Sequence, residues 1–289
     1  MAGLSFAKRA GAGQAWGMQP PELRDGFLML GSPVLVPDGE RVAALDEAGA
    51  RVGAPPPVGY VRALETLGPG DFCNAFSLFR PEMLRTYGAL DHLTPPAPDL
   101  AACVVFAKGF QGDFYAWRPD ELRAGTAAPV WLLPRGCMRF GSEWEDAQVH
   151  APDFETFLGT YRTGTASPTL RTPFFVPWRF EWQRASMMAL SGHETARAAQ
   201  DALAATLART DDARILLRID GPRSVQQHLY LPPSGGWLVA TIEDAATIRN
   251  RSTDTRLELR VPAADSPKEV LGTLTATLES MEWLVESPS

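Results

Sequence analysis

Residues 104–117 read Val104-Val105-Phe106-Ala107-Lys108-Gly109-Phe110-Gln111-Gly112-Asp113-Phe114-Tyr115-Ala116-Trp117, two apolar runs parted by a glycine-spaced turn. β-Branched and aromatic side chains suit a pleated surface, and Gly109 and Gly112 allow the turn, so the stretch predicts a hairpin with strands near Cys103 to Ala107 and Phe114 to Trp117. Downstream, Val130 to Leu133 predicts a further strand, set off by Gly125. Upstream, Phe72 to Phe79 alternates in part and reads as one half-buried strand. A helix opening at Pro152 carries Phe154, Phe157, Leu158 and Tyr161 at i, i+3, i+4 and i+7, an apolar stripe that needs this sheet as its platform.

Two helices precede the sheet. Val42, Leu45 and Val52 fall near helical spacing before Pro55-Pro56-Pro57 stops that helix, and Tyr60, Val61, Leu64 and Leu67 mark a second one that ends at Gly68-Pro69-Gly70. Residues 1–37 are rich in Gly, Ala and Pro, and Phe27-Leu28-Met29-Leu30 within them would add a strand or a short helix.

Residues 162–177 are dense in Thr, Ser, Pro and Gly, which favour turns. A chain of 289 residues exceeds the usual single core. The expected organisation is therefore a first domain over 1–165 with an N-terminal extension, a linker over 166–177 and a small α+β domain over 178–289. In the latter, Ser191 and Glu194 have capping-box spacing, with Ala196, Ala199, Leu203 and Leu207 on one helical face. Strand candidates follow at Ile215 to Ile219, His228 to Leu231, Trp237 to Ile242 and Leu257 to Val261. Ser266-Pro267-Lys268-Glu269 then opens a last helix that buries Val270, Leu274, Leu278, Met281 and Val285, giving the order α-β-β-β-β-α.

The net charge is −7, and the residues through Leu170 hold 19 acidic against 14 basic side chains, so the excess acid lies in the first half. Phosphate binding needs a concentrated cationic face, which excludes a nucleic-acid surface as the leading expectation and favours a basic protein partner. Cys73, Cys103 and Cys137 lack the paired short spacing of a zinc site or a thiol redox pair, and a sparse odd set suits a reducing cytoplasm. No run of about 18 apolar residues occurs, so neither a signal peptide nor a membrane span is expected. His92, His150, His193 and His228 share no metal-binding spacing, and no nucleophile-elbow, phosphate-loop or dinucleotide motif is present, so an enzyme is not expected and no cofactor is called for.

Several stretches together resemble the SUKH superfamily over roughly residues 40–162. They are Val42-Ala43-Ala44-Leu45-Asp46-Glu47, the break Gly53-Ala54-Pro55-Pro56, the helix Tyr60-Val61-Arg62-Ala63-Leu64 and the turn Gly68-Pro69-Gly70. Val104-Val105-Phe106-Ala107 followed by Gly112-Asp113-Phe114-Tyr115-Ala116-Trp117 is similar to the family's central hairpin, Val130-Trp131 to its next strand, and Phe154-Glu155-Thr156-Phe157-Leu158 to its closing helix. Leu132-Leu133-Pro134 and Ala151-Pro152 depart from the pattern, the latter standing where relatives carry a hydroxyl N-cap. The resemblance implies an α+β fold, a mixed sheet flanked by helices, and a cytoplasmic immunity protein that neutralises a cognate bacterial toxin without catalysis. Other members are regulatory scaffolds with an endogenous partner, so fold alone does not fix the role.

Candidate partner-binding residues come from the charge pattern. Glu143, Trp144, Glu145 and Asp146 set three carboxylates around one large aromatic, either as a contact for Lys or Arg of a partner or as a solvated loop whose Trp packs on its own sheet. Asp71 lies near Cys73, and Asp113 follows Gly112. For Asp113 the alternatives are a turn-capping bond to the backbone and direct contact with a partner.

Overall fold

A computed structural model describes residues 22–31, 35, 37–90, 97–125, 127–133, 147–178, 182–191, 195–211, 213–221, 224–231, 236–243, 253–262 and 267–285. The fold is α+β, as the sequence pattern predicts, with one large mixed sheet and a second, smaller antiparallel one. Two compact units are present, one built on Arg24–Ala166 and Pro173–Arg179 and the other mainly on Ser167–Thr172 and Phe180–Ser289.

The first unit opens with β1 (Leu23–Arg24) and β2 (Phe27–Met29), joined by Asp25-Gly26 with φ of 49° and 83°, the left-handed pair of a two-residue hairpin turn. Helix α1 (Asp38–Val52) ends at Gly53, whose φ of 80° lets its N–H bond back to the Gly49 carbonyl. Helix α2 (Val58–Thr66) follows the proline break and gives way to Gly68 at φ 79°. Then come β3 (Gly70–Phe72), β4 (Phe76–Leu78), β5 (Arg85–Thr86), α3 (Pro98–Ala101), β6 (Val104–Gly109), β7 (Phe114–Trp117), α4 (Pro119–Arg123), β8 (Val130–Leu133), β9 (Gln148–Ala151), α5 (Phe154–Arg162) and β10 (Phe174–Pro177). The strands order as β1-β2-β10-β3-β4-β6-β7-β8-β9, with β5 also paired to β6; β10 runs parallel to β2, and the pairs from β10–β3 through β8–β9 and β5–β6 are antiparallel.

Two local readings change. The single strand expected over Phe72 to Phe79 is a hairpin, because Cys73 and Asn74 take φ of 54° and 53° and fold Phe76 back opposite Phe72, where the two rings stack at 4.9 Å. The closing helix begins at Phe154 rather than Pro152, and Asp153 caps it by accepting the Thr156 N–H at 2.6 Å, so the missing hydroxyl cap is replaced by a carboxylate.

The apolar stripe of α5 lies on the sheet: Phe154, Phe157, Leu158 and Tyr161 are all buried. Phe157 sits 4.9 Å from the rings of both Phe76 and Tyr115, and Tyr60 of α2 joins the cluster beside Phe106, Trp117 and Phe154. Tyr60 also donates its hydroxyl to the Phe79 carbonyl at 2.8 Å. On the other face, Phe79, Tyr87, Leu100, Val105, Phe114 and Leu133 form a second core cluster.

The stretch 166–177, read as a linker, is ordered structure. Thr169, Arg171 and Thr172 bond to Leu216 and Arg218, and Phe174–Pro177 form a buried strand between β2 and β3. Its Thr and Pro content hid the run Phe174-Phe175-Val176, and proline is tolerated at the strand end Pro177, where it lacks only one ladder donor.

The second unit contains β11 (Trp182–Ser191), α6 (Ala196–Asp211), β12 (Arg214–Asp220), β13 (Ser224–Leu231), β14 (Gly236–Glu243), β15 (Thr253–Pro262), α7 (Pro267–Ser280) and β16 (Leu284–Val285), with sheet order β12-β13-β14-β15-β11-β16. The expected helix, four strands and helix are present, with β11 and β16 added. Ser191 ends β11 instead of capping α6, and Thr195 takes the cap, its hydroxyl accepting the Ala198 N–H at 3.2 Å; Glu194 lies outside the described residues. Ala196, Ala199, Leu203 and Leu207 are buried with Leu274 and Leu278 over the sheet. Helix α7 stops at Ser280, so Val285 belongs to β16 while Met281 follows the helix. A hydrogen bond joins Gln200 of α6 and Gln227 of β13, both fully buried.

Candidate functional site

Asp71 is engaged within its own unit. Its Oδ1 accepts the Ser77 hydroxyl at 2.5 Å and the Trp178 indole N–H at 3.0 Å, and the Arg80 guanidinium lies 5.8 Å from the centroid of that indole. The carboxylate thus links β3, β4 and the residue after β10. Asp113 is half-buried in the β6–β7 hairpin, where its main-chain carbonyl accepts the Gly109 N–H at 2.8 Å. Strand β4 stands between β3 and that hairpin, so Asp71 and Asp113 form no common site. Glu143, Trp144, Glu145 and Asp146 lie outside the described residues, as do His92, His193 and Cys137.

Among the described residues of the first unit, two cysteines, two tyrosines and a histidine sit in packed contacts. Cys73 and Cys103 are buried, and desolvation pushes both thiols up to about 12, far from the thiolate that nucleophilic chemistry needs. Tyr115 and Tyr161 share a hydroxyl contact of 3.3 Å, and burial raises both phenols. His150 of β9 packs on Tyr115 and Phe157, and desolvation lowers its pKa.

The feature that stands out is a groove beside α1. Its volume is about 640 Å³, and it is lined by Val42, Leu45, Asp46 and Gly49 of α1, by the Ala54-Pro55-Pro56 break and by Val61 of α2. Val42 is 54 % exposed, and Val58 at the start of α2 is 83 % exposed. The core-facing side of α1 carries Ala48 and Val52 instead. The two faces lie about a quarter of a turn apart on a helix of 3.6 residues per turn. The helix predicted from Val42, Leu45 and Val52 is therefore real, yet only Val52 of the three is buried.

The electrostatics of α1 are one-sided. Arg41 is held by Asp38 at 2.8 Å and Glu65 at 3.2 Å, and Arg51 donates to the carbonyls of Pro81 and Leu84. Asp46 in the groove wall and Glu47 beside it form no hydrogen bond or ion pair with any other described residue. The result is an apolar trough with a carboxylate rim, a surface suited to an apolar segment bearing a cation.

Comparison with known protein families, with curated proteins and with solved structures finds no match in any of the three. Among the described residues no helix is long and apolar enough to cross a membrane.

Proposed function

We propose that this chain is a cytoplasmic, non-enzymatic immunity protein of SUKH type that binds a cognate bacterial toxin stoichiometrically and blocks it. The observation that carries the reading is the exposed groove of Val42, Leu45 and Val61 with Asp46 in its wall. An aliphatic trough left open to water beside uncompensated carboxylates is the kind of surface that a partner covers. The order of elements in the first unit adds support: two helices about a proline break, a sheet that contains the β6–β7 hairpin, and a closing Phe-rich helix lying on it. The acidic first half favours a basic toxin through faster, steered association.

The test is co-expression with the product of the gene immediately upstream in a susceptible bacterium. Growth rescue by this chain, together with a 1:1 complex on light scattering, is the expected result. Toxicity that persists, with no complex formed, overturns the toxin reading and leaves a regulatory scaffold with an endogenous partner.

A further inference from the structure

Building on the protein-binding reading, we infer that the groove beside α1 receives an amphipathic α-helix of the partner, laid along α1 with a Lys or Arg directed at Asp46. The groove follows α1 from Val42 to Gly53, three turns or about 16 Å at 1.5 Å per residue, which matches apolar anchors at i, i+3 or i+4, and i+7 on a second helix.

The main chain around the groove decides between a helix and an extended segment. The N–H groups of α1 from Val42 onward are spent inside the helix. Those of Gly53 and Ala54 both go to the Gly49 carbonyl, that of Val61 goes to the Pro57 carbonyl, and Pro55 and Pro56 have none. An extended peptide pressed into this trough would bury carbonyl groups that find no backbone donor, whereas a helix arrives with its own groups already satisfied.

Charge selects the sequence on that helix. Asp46 stands in the wall with Glu47 one residue further round, both arginines of α1 are committed elsewhere, and the exposed Arg62 of α2 is outside the lining. A carboxylate on the incoming helix would meet like charge, and a cation with an apolar stem would place its methylenes on Val42 and Leu45 and its head on Asp46.

The probe is a helix-stabilised peptide of about 15 residues with leucines at i, i+4 and i+7 and one arginine at i+3, added to the full-length chain and followed by anisotropy and by amide shifts. Saturable binding with shifts centred on Val42, Leu45 and Val61 is expected, about fivefold or more weaker when the arginine is glutamate. Asp46→Lys, on an exposed helix surface that leaves the fold intact, should reverse that preference, and Val42→Glu should abolish binding. No saturable binding, equal binding of both peptides, or a preference untouched by Asp46→Lys overturns the inference. In the co-expression assay, wild type rescuing while Val42→Glu does not supports it, and equal rescue by both overturns it. Wild type failing to rescue while the peptide binds as expected sinks the toxin reading alone.

Discussion

Phe157→Ala should remove the centre of the first unit's core. The ring is fully buried, with aromatic neighbours at 4.9 Å (Phe76), 4.9 Å (Tyr115), 5.5 Å (Tyr161) and 5.9 Å (Phe106). Phe76 and Tyr115 are held in register by strand pairing, and Phe106, at the bulge of β6, is tied by its carbonyl to the Phe79 N–H, so these rings collapse poorly into the space left behind. A buried Phe→Ala change costs about 3–5 kcal/mol, and a site that collapses poorly belongs in the upper half of that range. For a unit of this size each kcal/mol lowers the midpoint by about 2–4 °C, which gives a fall of roughly 8–20 °C. The assay is thermal unfolding followed by near-ultraviolet circular dichroism, with Val42→Ala as the exposed control, expected to stay within about 0.5 kcal/mol of wild type. An unchanged midpoint for Phe157→Ala, or equal losses for the two variants, would refute the placement of α5 on the sheet.

Three further outcomes follow from the same core and its margins. Gly70→Ala should prevent β10 from seating against β3, because a Cβ there would lie 2.3 Å from the Phe175 ring and 2.5 Å from the Val176 carbonyl oxygen; loss of soluble folded protein or a clear drop in urea midpoint checks it. Tyr60→Phe deletes the bond to the Phe79 carbonyl and leaves a buried acceptor without that donor, a cost of about 1–3 kcal/mol measurable by urea unfolding. His150, whose pKa is lowered by desolvation, resists protonation more in the folded chain than in the unfolded one, so stability present at neutral pH should decline as pH falls through the ordinary histidine range. His150→Gln should flatten that decline, and an identical pH dependence in the variant would dismiss the assignment.

Most of the first unit is legible in its sequence because its signals are local and periodic. The stripe Phe154, Phe157, Leu158 and Tyr161 needs no tertiary information to be seen, and the Gly-spaced hairpin of β6 and β7 carries its own turn residues. The misread parts are those where pairing over long sequence distance overrides composition. Phe174–Pro177 becomes a strand only because Leu28 and Phe72, about a hundred or more residues earlier in the chain, flank it on either side, and no window around 166–177 contains that information. Strand β11 was hidden in the same way: Met187, Met188 and Ala189 have weak strand preference, and ten residues of pairing with β15 hold them extended.

Helix α1 was legible as an element but not as a site, for a reason that lies in its geometry. A helix serving only its own fold would turn its larger aliphatic side chains inward, yet α1 buries Ala48 and Val52 while Val42 remains more than half exposed and Leu45 half-buried at the groove. Spacing alone cannot separate these faces, since Leu45 lies between them on the wheel and makes a single broad apolar stripe of the two. The distinction needs the positions of Pro55, Pro56 and Val61, which the proline break brings alongside. Arg51 donates its guanidinium to the Pro81 and Leu84 carbonyls, about thirty residues further along the chain, which no local window of sequence contains. That withdrawal leaves Asp46 and Glu47 without a cation on their own helix. The charge asymmetry of the groove is thus a product of tertiary structure, and it ties the acidic balance of the chain's first half to one described surface.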